Sequence, residues 1–330
     1  MSTSTPTTKV RTLRGPSRVL LRLHRRILWA AGAAAVAAIA CMIAVAILAD
    51  RAVADLAGTG CTLSSLTETC FQPARNYTDR MLGLSRLLGY AGLALIALPT
   101  LVGAFVAGPM IAREWETGSI KFSWTQSAPP SAWLTARLAV LAVPVVGGIV
   151  VLSAVLTWSR SRLAYPFPAL WEDGSAFGAT GTVPVASALL ALALGSLAGL
   201  LLRRTVPALA VALLASGLVT VVLGQVRDHL WPVVKATYPL KGDYPLPKWA
   251  YAVEEGFLTT GGDRLPTDIC TSPTLDFEDC LAGHDVALNY VDYHPASHYW
   301  PLQLVETGIL LALAALAVFA AFRVLRRLHG

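Results

Sequence analysis

Residues 183–202 read VPVASALLALALGSLAGLLL, Arg203 and Arg204 follow, and residues 205–224 read TVPALAVALLASGLVTVVLG. Two uncharged apolar runs are thus separated by two arginines and nothing else. As helices rising ~1.5 Å per residue, each run matches the ~30 Å hydrocarbon core of a bilayer. A helix that is apolar all round belongs in lipid or deep inside a large core, and two in tandem joined by a dibasic turn predict a membrane-spanning hairpin.

Working outward, four more runs have the same character: Ile27 to Ala49, Leu87 to Ala112, Leu138 to Trp158 and Leu304 to Phe322. Only the last holds a charge, Glu306, near its start; contact with a substrate is one reading, and pairing or snorkelling at the interface is the expected one. The composition agrees, with 55% hydrophobic and 14% charged residues in 330. An ordinary soluble domain carries about a quarter charged residues. This excludes a cytosolic enzyme, a disordered chain and a secreted disulfide miniprotein. The first run follows basic residues and contains Ala-Val-Ala, but it exceeds the roughly 7–15 apolar residues of a signal peptide and reads as an uncleaved helix.

Lysine and arginine placement gives the orientation. With a cytoplasmic N-terminus, the segments 1–26, 113–137, 203–204 and 323–330 hold 15 of the 26 basic residues and 2 of the 20 acids. That is the sign the positive-inside rule requires. The net charge of +6 is then a topological signature, and nucleic acid is not an expected partner. Cys41 lies within the first span, where a thiol is a small apolar group. Cys61, Cys70, Cys270 and Cys280 all fall on the external, oxidising side. The local pairs Cys61–Cys70 and Cys270–Cys280 close the shortest loops and are the expected disulfides among three possible connectivities.

The chain accordingly divides into a disordered cytoplasmic tail (1–16) and an amphipathic interfacial helix (17–26) with Arg18, Arg22, Arg25 and Arg26 on one face. Spans one to five follow (27–224) with a cytoplasmic loop at 113–137, then an external loop or cap (225–303), then the sixth span and a basic tail (304–330). The segments 50–86 and 159–182 read as loops. The fold class is an all-α polytopic membrane protein with six transmembrane helices, cytoplasmic N- and C-termini and an external cap between helices five and six.

Chemistry is sparse. No ionisable residue is expected at bilayer depth, which disfavours ion-coupled transport. Neither H-E-x-x-H nor G-x-S-x-G occurs, and the chain has no Gly-Lys pair, so it lacks the phosphate-cradling loop of an ATPase. No catalytic residue, metal or cofactor is expected in this chain. His294 and His298 stand near Asp285 and Asp292, but Pro295 is expected to keep the two rings apart. Gly195 and Gly199, four residues apart, suit close helix packing.

The informative polar segment lies between spans two and three, from Ala112 to Trp133. It carries Arg113, Glu114, Glu116, Gly118, Ser119, Trp124, Thr125, Gln126 and Trp133, and Pro129-Pro130 ends any preceding helix. Three tryptophans (Trp115, Trp124, Trp133) exceed what a linker needs and suit either docking of a cytoplasmic partner or anchoring at the headgroups.

These residues, in this order, resemble the R-E-x-E-x-G-[ST] stretch, W-T-Q element and following aromatic of the permease subunits of type-2 ATP-binding-cassette (ABC) exporters, notably the actinobacterial branch. Residues 201–208 (LLRRTVPA) resemble that branch's hairpin between spans four and five, and residues 293–303 (YHPASHYWPLQ) its lead into the last span. The resemblance implies a multi-pass permease of the bacterial plasma membrane, paired as a homodimer or heterodimer among membrane lipids. Two cytoplasmic ABC ATPase subunits would bind ATP and Mg and dock on the 113–137 loop. It implies an exporter of an unidentified, amphiphilic or lipid-like substrate, the permease itself being no enzyme. A non-transporting scaffold or ligand sensor with an extracellular cap is the alternative.

Overall fold

The computed structural model describes residues 25–65, 67–118, 130–168, 170–270 and 276–328. Helix α1 spans Arg25–Gly58 and α2 Glu68–Val102. A π turn at Gly103–Ala107 leads without a break into α3, Gly108–Glu116. Then come α4 (Pro130–Arg160), the single turn α5 (Gly174–Phe177), α6 (Val183–Leu202) and α7 (Thr205–Val226). A final long helix, α9 (Tyr299–Arg327), closes the chain. Among the described residues six helices are long and apolar enough to cross a membrane, and each predicted span lies inside one of the helices given above, α2 and α3 counting as one.

Helix α6 is the hub. Within its apolar window 61% of residues are buried, against 11–39% for the other five spans. It packs on α9, α7, α4 and the α2–α3 rod. Its small residues explain why. A Cβ on Gly195 would sit 2.2 Å from the Gly103 carbonyl oxygen, one on Gly103 2.4 Å from that of Ala191, and one on Gly199 2.7 Å from that of Gly108. Gly103 and Gly108 are five residues apart, a spacing that faces one side only because the turn between them is π. Pro99, which cannot donate to the helix ladder, stands one turn earlier.

The loop reading of 50–86 is wrong. Helix α1 continues to Gly58 and α2 begins at Glu68, so the connection is only a few residues long. The α2–α3 rod has 49 residues, about 74 Å at 1.5 Å per residue, more than twice the bilayer core. Its N-terminal part packs on α1, partly within and partly beyond the predicted spans. Tyr77, Met81, Leu84 and Leu88 are buried against Val45, Ala49 and Ala52, at the spacing of one helical face. Cys61 is bonded to Cys70 at the tip. Arg80 meets Asp55 at 3.0 Å, and Tyr77 Oη donates to the Tyr165 carbonyl at 2.8 Å.

Between α7 and α9 lies the expected separate unit, and it is mainly β. Strands β1 (Val234–Pro239), β2 (Tyr251–Thr259), β3 (Arg264–Pro266) and β4 (Val286–His294) form an antiparallel sheet in the order β1-β4-β2-β3. Helix α8 (Phe277–Gly283) precedes β4, and Cys280 on it is bonded to Cys270. Phe257 of β2 and the consecutive Tyr290 and Val291 of β4 are buried, so β4 is covered on both faces at its centre. Arg264 pairs with both oxygens of the buried Asp292, at 2.8 and 3.0 Å, and lies over the Tyr290 ring. The amphipathic reading of 17–26 lies outside the described residues, apart from Arg25 and Arg26 at the start of α1.

Candidate functional site

At the end of the bundle that carries Arg203 and Arg204, the motif residues are held by the protein itself. Glu116, at the end of α3, accepts from the Thr205 backbone N–H at 2.8 Å and from the Thr205 hydroxyl. Those N–H groups at the start of α7 have no partner within their own helix, and a carboxylate there also suits the helix dipole. Glu114 pairs with Arg137 of α4, both side chains less than one-fifth exposed. Arg203, in the left-handed region at φ 54°, lays its guanidinium over Trp115 at 4.9 Å, and Arg137 lies over Trp133 at 5.9 Å. Gly118 ends α3 at φ +69°, a conformation that favours glycine. Arg113 is exposed. Ser119, Trp124, Thr125 and Gln126 lie outside the described residues. Beneath this layer Ile111, Leu134, Leu200, Ala321 and Leu325 form one apolar cluster. Glu114 and Glu116 thus tie the end of α3 to α4 and to the start of α7, and Trp133 packs at the edge of the apolar cluster. Sequence reading singled them out but gave no hint of Arg137 or Thr205 as their partners.

At the sheet end, the motif before α9 has a structural explanation. Gln303 is completely buried and its carboxamide is fully used. Its Oε1 accepts from the N–H groups of Thr182 and Val183, each at 3.1 Å. Its Nε2 donates to the carbonyls of Phe177 at 2.9 Å and Thr180 at 3.2 Å. One side chain of α9 therefore caps α6 and ties down the turn before it. Glu306, one turn on, is 3% exposed and accepts from Arg227 Nε at 2.9 Å and Nη2 at 3.2 Å. The expected pairing of Glu306 is present, and Arg227, which also stacks on Phe177 at 4.2 Å, is the partner sequence reading missed.

The sheet is fastened to the helices nearby. Trp171 Nε1 donates to the Trp249 carbonyl at 2.8 Å, and Tyr251 Oη donates to Asp228 at 3.2 Å. Burial, then the Asp228 carboxylate, pushes the Tyr251 phenol up from its ordinary value. Burial also raises Glu172. It acts on Asp173 too, but there hydrogen bonds from Ser175 and the Arg160 guanidinium prevail and lower the carboxyl.

The expectation that Pro295 separates His294 and His298 fails. Their Nδ1 atoms are 3.0 Å apart, and His294 Nε2 lies 3.0 Å from the Asp228 carbonyl. Proline stands just before a 3₁₀ turn, Ala296–His298, where its missing N–H costs nothing, and the turn folds one ring onto the other. No group of three or more metal-ligating side chains occurs among the described residues.

Six apolar helices among the described residues, each long enough to cross a bilayer, define a multi-pass membrane protein of the plasma-membrane type. The chain belongs to the ABC-2 membrane transporter related family, whose model matches residues 30–227, more than half of its length. As in that family generally, it is a permease component of an ABC transporter, not itself catalytic, of the kind that works with cytoplasmic ATPase subunits. Comparison with curated proteins and with solved structures finds no match.

Proposed function

We propose that this chain, paired with itself or with a second permease, forms the path for export of an amphiphilic or lipid-like substrate. ATP and Mg are bound by a separate ATPase that docks on residues 113–137. The observation that carries this reading is the bracing of that segment. Glu116 joins its start to α7 and Glu114 joins it to α4, so a push on the loop is delivered to two spans at once. Rigid-body coupling of that kind needs a stiff contact at the point of force. In this reading Glu114, Glu116, Gly118 and Trp133 position the loop, while Arg113, Ser119, Trp124, Thr125 and Gln126 meet the ATPase. The sheet and both disulfides then face the exterior.

The test is co-purification from native membranes. A P-loop ATPase should accompany the wild-type chain, and Trp124→Ala with Gln126→Ala should cut its recovery about tenfold without reducing membrane insertion. Absence of an ATPase from the wild-type preparation, or equal recovery with the double variant, would overturn the proposal.

A further inference from the structure

Beside the Arg227–Glu306 pair lies a cavity of about 190 Å³, enclosed by α2, α6, α7 and α9. Its polar lining is Ser187, Thr220, Arg227 and Glu306, and Leu223 and Leu310 are among its apolar walls. Gly224 and Gly174 line it and are exposed, so it opens to the surface of the bundle. Liquid water takes about 30 Å³ per molecule, so the space holds a polar head group of roughly six waters' volume and not a whole amphiphile.

The lining offers complementary groups. Thr220 gives its own proton to the Ser216 carbonyl at 3.0 Å, which leaves its oxygen as an acceptor. Glu306 accepts one bond at each oxygen and retains further lone pairs. Arg227 uses Nε and Nη2 on Glu306, which leaves Nη1 to donate. The ion pair is neutral overall. A singly charged ligand would leave one uncompensated charge in a largely apolar pocket, whereas a ligand bearing both signs would not.

We propose that this cavity binds a zwitterionic head group carrying a primary ammonium and a phosphate a few bonds apart. The ammonium meets Glu306 and Thr220 Oγ1, and the phosphate meets Arg227. The inference deepens the export proposal by naming the head-group class of the substrate and rests on it only for treating the ligand as cargo.

Binding is measured on the purified full-length chain in detergent, without an ATPase, so its failure is separable from failure of the export reading. Native mass spectrometry during titration with phosphatidylethanolamine should show about tenfold greater retention than with phosphatidylglycerol. Gly224→Leu is the main variant. Gly224 lines the cavity, and a Cβ there meets nothing within 4 Å, so leucine adds bulk at the cavity's edge without backbone conflict. It should lower phosphatidylethanolamine retention about tenfold with unchanged Tm, and Glu306→Gln should abolish the preference over phosphatidylglycerol. Displacement by free phosphoethanolamine supports a soluble zwitterion as ligand, and failure to displace supports a lipid. Equal retention of the two lipids, or wild-type retention by Gly224→Leu, would overturn the proposal.

Discussion

Gln303 shows what one side chain does in this protein. Replacing it with leucine keeps the volume approximately but strips partners from two N–H groups and two carbonyls inside the bundle. An unsatisfied buried polar group costs about 1–3 kcal/mol, so Gln303→Leu should destabilise the detergent-solubilised protein by about 3 kcal/mol or more. Gln303→Glu keeps the acceptor half and loses the donor half, and should lower Tm less. Equal Tm for wild type and Gln303→Leu would refute this role. The residue itself stands out in the sequence because it ends a recognisable run. Its purpose does not, because all four partners lie more than a hundred residues earlier. Arg227 was less legible still. It looks like any interfacial basic residue following a span, and only the packing of α7 on α9 brings it to Glu306.

Among the elements, the contact between α6 and the α2–α3 rod is the most demanding. Backbone carbonyls stand where side chains would be, and overpacking a tight contact costs about 1–3 kcal/mol or more. Gly195→Leu should therefore destabilise the protein by at least about 3 kcal/mol. Gly217→Leu on α7, where a Cβ meets nothing within 4 Å, should stay within about 0.5 kcal/mol of wild type. Thermal unfolding of both variants in one detergent decides the matter, and similar losses would contradict the packing account. Half of this contact was legible, since Gly195 and Gly199 have the familiar spacing of four. The other half was hidden, because Gly103 and Gly108 share a face only through a π turn. The 50–86 segment was misread for a different reason. It reads as a loop without clear periodicity, although Tyr77, Met81, Leu84 and Leu88 fall at the period of one helical face.

For the whole molecule, apolar length and charge placement were enough to locate all six spans, because the bilayer imposes a minimum length that few other structures need. The β-sheet of the 225–303 region was not legible beyond an expectation of structure, since β-strands of three to nine residues leave no long periodic signal. The two ends of the bundle now have distinct characters. One bears braced tryptophans and arginines, and the other bears a disulfide-tied sheet over a buried ion pair. Helix α7 joins them, with Thr205 held by Glu116 at one end and Arg227 holding Glu306 immediately beyond the other.

The account requires the braced end to face the ATP-containing compartment. The direct measurement places a single reactive thiol in the loop, Gln126→Cys with Cys41→Ala, and exposes the cells to a membrane-impermeant maleimide. The account predicts no labelling in intact cells and full labelling in inside-out vesicles; labelling from the outside of intact cells would contradict it.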